Sequence, residues 1–149
     1  MKRYTILVLV FGFVTAFTSC SLENDSNYVG NEIIPIESVE IPDHFLFGES
    51  YEIEITYNRP STCYRFYNFL YEINENERTV AIINSVYNNS TCVQEEESVT
   101  VTLNFLVTET ETYLFKFYQG RDEEGEDQYY LAEVPVLDER PTSDAILLD

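Results

Sequence analysis

Tryptophan is absent from this 149-residue chain, histidine occurs once, and Lys and Arg together number eight against 27 Asp and Glu. The shortage of cations leaves a formal net charge of −19. That charge excludes nucleic acid as a partner, because phosphate binding needs a Lys/Arg footprint, and it disfavours anionic lipid head groups. With His44 the sole histidine and no Cys-x-x-Cys pair, a transition-metal site lacks ligands. His44 stands in Pro-Asp-His-Phe with no Ser or Cys nucleophile context, and no Gly-x-Ser-x-Gly elbow occurs anywhere. No apolar run reaches the 18 residues that a membrane-spanning helix requires. What is present is apolar and aromatic. Hydrophobic residues make up 44% and aromatics 15%, with 12 Tyr and 10 Phe, too much for a disordered acidic chain and typical of strands.

The N-terminus reads as an address. Lys2 and Arg3 precede an apolar stretch, Ile6 to Thr18, too short to cross a ~30 Å hydrocarbon layer and of the length of a secretory signal. It ends Phe17-Thr18-Ser19-Cys20. Small residues directly before a cysteine resemble a bacterial lipobox of the looser kind found in Bacteroidota, with Phe17 where Leu is usual. The resemblance implies that Cys20 is diacylated and becomes the mature N-terminus. Loss of residues 1–19 then removes Lys2 and Arg3 but no acid, which takes the net charge to −21 and leaves Lys116 as the only lysine. Cys63 and Cys92 remain, an even number in an oxidising compartment, and are expected to form a disulfide. Closing that loop contributes about 3.5 kcal/mol in the chain-entropy model. Acyl chains bind a membrane strongly, at ~0.8 kcal/mol per buried CH₂, so the expected location is the outer membrane, facing the periplasm or the cell surface.

After Cys20 the chain is polar and acidic (Ser21 to about Glu32), which reads as a tether over residues 20–32. A domain over 33–140 and a tail over 141–149 follow. Ser50–Tyr57 alternates Tyr51, Ile53, Ile55 and Tyr57 with Glu52, Glu54 and Thr56, the pattern of a half-buried strand. Further strands are expected at Ser38–Ile41, Thr62–Ile73, Arg78–Tyr87, Ser98–Val107, Tyr113–Tyr118 and Asp127–Val136. About seven strands without a convincing helix predict an all-β domain. The expected architecture is a single antiparallel two-sheet sandwich, Ig-like or fibronectin-like. Tyr113, at a strand start after the Thr-rich turn Thr108–Thr112, matches the placement of a tyrosine corner. Cys63 and Cys92 do not stand two residues beyond that Tyr, so the antibody-type bridge is absent.

The short signal, Pro-Ser-Thr-Cys-Tyr (60–64), Asn-Ser-Thr-Cys (89–92), Thr-Val-Thr-Leu-Asn-Phe (100–105) and the stretch from Thr112 to Tyr129 resemble a group of small flavobacterial lipoproteins. The likeness covers most of residues 38–136. It implies the phylum and an Ig-like β-sandwich, and it assigns no activity or catalytic residue.

Three constellations merit placement. Tyr67, Phe69, Tyr71 and Ile73 fall on one face of the Thr62–Ile73 strand, and Tyr64, Phe66 and Leu70 on the other. Aromatics on both faces indicate that the second face is also covered or used, and a binding platform at Tyr64 and Phe66 for a glycan or protein partner is the functional reading. The alternative is a face covered by a loop or a phase shift at a bulge. Asp122, Glu124, Glu126 and Asp127 cluster around Gly125 and offer oxygens to Ca²⁺, though without EF-hand spacing; a solvated hairpin tip is the alternative. Glu95–Glu97 read as a solvated turn, with a second reading as gatekeepers before an aggregation-prone strand. A ~100-residue sandwich offers little room for a catalytic cleft. The chain therefore reads as a non-enzymatic, lipid-anchored envelope protein. Carbohydrate binding is one alternative, and protease inhibition through the loops Asn58–Ser61, Asn88–Thr91 and Gly120–Glu126 is another.

Overall fold

Tyr51, Ile53, Ile55 and Tyr57 reach one side of the chain together only if the backbone is extended. In the computed structural model, which describes residues 28–88 and 91–138, this segment belongs to one of ten strands. They are β1 (Tyr28–Ile34), β2 (Ile36–Glu40), β3 (Phe45–Leu46), β4 (Ser50–Arg59), β5 (Tyr64–Asn74), β6 (Glu77–Tyr87), β7 (Glu97–Leu106), β8 (Tyr113–Arg121), β9 (Asp127–Val134) and β10 (Val136–Leu137). No described residue is helical, so the all-β expectation holds. The strand number rises from about seven to ten because β1, β3 and β10 carry little alternation. In β1 only Ile34 is buried, and it pairs with β6 although Tyr28–Glu32 read as tether.

Three sheets result. β2, β4 and β7 form one, β10 pairs with β3, and β1, β5, β6, β8 and β9 form the largest. β6 is its centre. β5 lines one edge of β6 from Glu77 to Val86. The other edge is shared: β8 runs parallel beside Glu77–Val80, and β1 runs antiparallel beside Ile82–Tyr87. The all-antiparallel expectation is corrected here and at β3/β10, which is also parallel. β6 and β8 run alike because the chain crosses between them into the three-stranded sheet as β7. After β1 the chain likewise changes sheets, at Pro35.

The larger two sheets share one core. Ile53, Ile55, Tyr57 and Phe105 of the three-stranded sheet join Val80, Ile82, Phe115, Phe117 and Val134 of the five-stranded one. Phe45 fills one end, with its ring 4.7 Å from Tyr51 and 5.2 Å from Phe105. Tyrosine hydroxyls fasten the turns at this end. Tyr113 Oη accepts from the backbone N–H of Thr108 (3.1 Å) and of Glu109 (2.8 Å), as its placement predicts. Tyr51 Oη does the same for Leu46 N at 2.9 Å.

The β8–β9 register skips Gln119, and the Gly120 that follows has a φ of +104° and would carry a Cβ 3.4 Å from Pro35. A side chain there is strained by the positive φ.

Candidate functional site

Cys20 lies outside the described residues, as do the signal segment and the tail from residue 139. Cys63 and Cys92 form the expected disulfide, with Cα atoms 5.4 Å apart and a sequence separation of 29. The bridge is reinforced on both sides of the loop. Thr62 N donates to Val93 O (3.1 Å) and Val93 N donates to Thr62 Oγ1 (2.9 Å).

The two-faced aromatic strand becomes one-faced. The β5–β6 register skips Tyr67, which bulges. Tyr64 lies opposite Val86 and Phe66 opposite Asn84. Beyond the bulge Phe69 faces Ile82 and Tyr71 faces Val80. Residues directly opposed across a ladder share a face, so all four aromatics point the same way as Val80 and Ile82, toward the core. Tyr64, Phe69 and Tyr71 pack on it. Phe66 is 38% exposed and meets Phe69 edge-on at 5.0 Å. The phase shift at a bulge, the alternative offered by the sequence, thus puts Tyr64 and Phe66 in one inward-facing row with Phe69 and Tyr71. The Tyr64 hydroxyl donates to Glu32 Oε2 at 2.9 Å, and that bond holds its pKa above the usual tyrosine value.

The acidic hairpin is organised by its own hydrogen bonds. Asp122 Oδ1 accepts from Glu124 N (3.1 Å) and Glu126 N (2.8 Å), and Oδ2 accepts from Gln128 Nε2 (2.6 Å). Asp127 pairs with Arg121 Nε at 2.7 Å. Among the described residues no three His, Cys, Asp or Glu side chains are grouped so as to hold a metal ion.

Two surface features were not read from the sequence. The first lies on the outer face of the five-stranded sheet, where the edge of β6 passes from β8 to β1. Strands that part leave a notch, here about 80 Å³. Ala81 forms its floor at 2% exposure. Ile33, Leu70, Tyr118 and Tyr129 form its walls, with Arg121 and Asp127 at the rim. Tyr118 and Tyr129 meet edge-on at 5.9 Å, and Lys116 Nζ sits 5.2 Å from the Tyr129 ring centre. Burial, and then the Asp127 and Glu72 charges, raise the Tyr129 pKa. Aromatic faces beside a paired cation and carboxylate suit recognition. The signal for the notch was the second phase of the two strands: Lys116 falls between the inward Phe115 and Phe117 and Tyr118 follows them, while Tyr129 and Leu131 flank the inward Tyr130.

The second feature is a groove of about 330 Å³ where β5 and β7 diverge, lined by Tyr71, Ile73, Arg78, Leu103 and Leu106 among others. Ile73 is 65% and Leu106 54% exposed.

In comparison with known proteins, no family model matches the chain, and no curated protein or solved structure is similar to it. Among the described residues no helix is long and apolar enough to cross a membrane.

Proposed function

We propose that the protein is a non-enzymatic, lipid-anchored binding protein of the bacterial outer membrane, of the Bacteroidota type, whose domain is an Ig-like sandwich in the broad sense. The observation that carries the binding role is the notch at Ala81, an apolar floor between two tyrosines on an outward sheet face. The address rests on Lys2, Arg3, the apolar stretch and Cys20. The Cys63–Cys92 bridge supports export to an oxidising compartment. The sandwich reading rests on the shared core and on the Tyr113 corner. The parallel β6/β8 pair departs from the usual antiparallel strand order of that class.

A carbohydrate ligand is the second reading. It is favoured by the Tyr129 ring set among Tyr118, Lys116 and the Arg121–Asp127 pair. Two measurements test the proposal. Radiolabelled palmitate is expected to enter the wild-type chain and not Cys20→Ser; equal labelling overturns the anchor. Titration of neutral and acidic oligosaccharides, followed by tyrosine fluorescence, is expected to give binding that Tyr129→Ala weakens at least tenfold. Binding unaffected by Tyr129→Ala removes the notch as the site.

A further inference from the structure

We propose that β7 is a docking edge for an extended, basic strand of a partner protein, which joins the three-stranded sheet beside β7 and lays its apolar side chains into the groove toward β5. The inference is independent of the notch.

A strand at a sheet edge presents unpaired N–H and C=O groups, and proteins blunt such edges with bulges, prolines, charges or short length. The other edges here are blunted. β5 bulges at Tyr67. β1 has a register shift after Tyr28 and carries Glu32. β2 has five residues, a register shift after Ile36, and Pro35 and Pro42 on its flanks. β9 begins at Asp127, carries Glu133 and is followed by Pro135. β7 differs. It pairs with β4 along all ten residues with no register shift. From Ser98 to Leu106 it contains no charge, proline or glycine. It pairs with no strand besides β4 among the described residues. Its inward residues Val99, Val101 and Leu103 are only partly buried, as are Phe69 and Tyr71 across the groove. An edge guarded only at its start, by Glu95–Glu97, and lying above an open apolar groove fits strand addition, in which main-chain bonds give affinity and alternate side chains give specificity.

Charge selects the occupant. The outward face beside β7 carries Glu52 opposite Asn104 and Glu54 opposite Thr102, with Glu40 opposite Glu54 on the far side. No Lys or Arg stands among the residues of β2, and the only one in β4 is Arg59, which pairs with Glu97. Long basic side chains on an added strand reach these carboxylates. Pairing with β7 of a second copy brings a strand without any base to the same acids.

The test uses the full chain in a lipid nanodisc and a nine-residue peptide of alternating Lys and Val. A control peptide of identical composition has the Lys and Val in separate blocks. Amide hydrogen exchange is expected to slow in residues 97–106 with the alternating peptide and not with the block control. Leu103→Lys, which places a charge in the groove, is expected to weaken binding at least tenfold while exchange in β8 and β9 is unchanged. Thr100→Arg with Thr102→Arg leaves the core alone and is expected to weaken it several-fold. Four outcomes overturn the proposal: equal protection by both peptides, protection centred on another edge, no protection at millimolar peptide, or protection of β7 that rises with protein concentration alone.

Discussion

The Arg78 guanidinium lies over the Tyr113 ring, 4.9 Å from its centre. Arg78 is 4% exposed and forms no ion pair with a carboxylate among the described residues. Its Nη1 donates to Glu75 O (2.6 Å) and Glu77 O (2.8 Å), across the β5–β6 turn. Glu75 sits there in the left-handed region at a φ of 53°. The same turn is tied to the start of β8, because Asn76 Nδ2 donates to Thr112 O and Leu114 N donates to Asn76 O. One buried cation and one buried ring thus join a hairpin turn to the crossover from the other sheet.

Tyr113→Phe keeps the ring and loses the hydroxyl that serves Thr108 N and Glu109 N. A loss of about 1–2 kcal/mol is expected. Tyr113→Leu removes the ring as well. Crossed with Arg78→Met in a double-mutant cycle, it should show a coupling of ~0.5–2 kcal/mol. Urea unfolding of the four proteins checks this, and strict additivity refutes the contact.

The Cys63–Cys92 bridge holds the approach to β7, since Thr62 and Val93 exchange bonds beside it and Arg59 pairs with Glu97 just beyond. Cys63→Ser with Cys92→Ser is expected to lower stability by up to about 3.5 kcal/mol. It should also speed amide exchange in residues 91–99 more than in β8. A loss below ~1 kcal/mol shows that the loop is held by its hydrogen bonds alone.

Strands with unbroken alternation were legible in the sequence. β4 and β7 lie within two residues of their expected limits, because one inward face and one solvated face leave a period of two. The cysteine pair and the Tyr113 corner were legible for the same reason, since each depends on residue type and local spacing. The bulge at Tyr67 was not: one extra residue shifts the phase of every side chain beyond it, and only the partner strand reveals it. The notch was hidden because its walls come from four strands, and it exists only where β8 gives way to β1. The parallel β6/β8 pairing is a matter of chain crossover, on which local pattern is silent.

Asn84 faces the core opposite Phe66, is fully buried, and neither its Nδ2 nor its Oδ1 meets a partner at hydrogen-bonding geometry, although the Tyr57 hydroxyl is close enough to feel it. An unsatisfied buried amide costs about 1–3 kcal/mol. Asn84→Leu, close in shape, is expected to raise stability by about 1 kcal/mol and the melting temperature by ~4–8 °C. A fall in the melting temperature would show that the amide is satisfied by bound water.

Tyr57 and Tyr71 set the alkaline limit. Burial raises both pKa values above 10.0, against smaller opposing effects of Asn84 and Arg59 on Tyr57 and of Arg78 on Tyr71. A group whose folded pKa lies above its unfolded value holds its proton more tightly when folded. Its contribution to stability is complete below about pH 10 and is lost as the pH climbs through the folded pKa. Without tryptophan, tyrosinate absorbance near 295 nm reads the titration directly. The exposed tyrosines are expected to ionise first, and a second set only as the fold is lost. Tyr57→Phe should shrink that second set and move the alkaline unfolding midpoint upward. A single transition near pH 10 with the fold intact refutes the assignment.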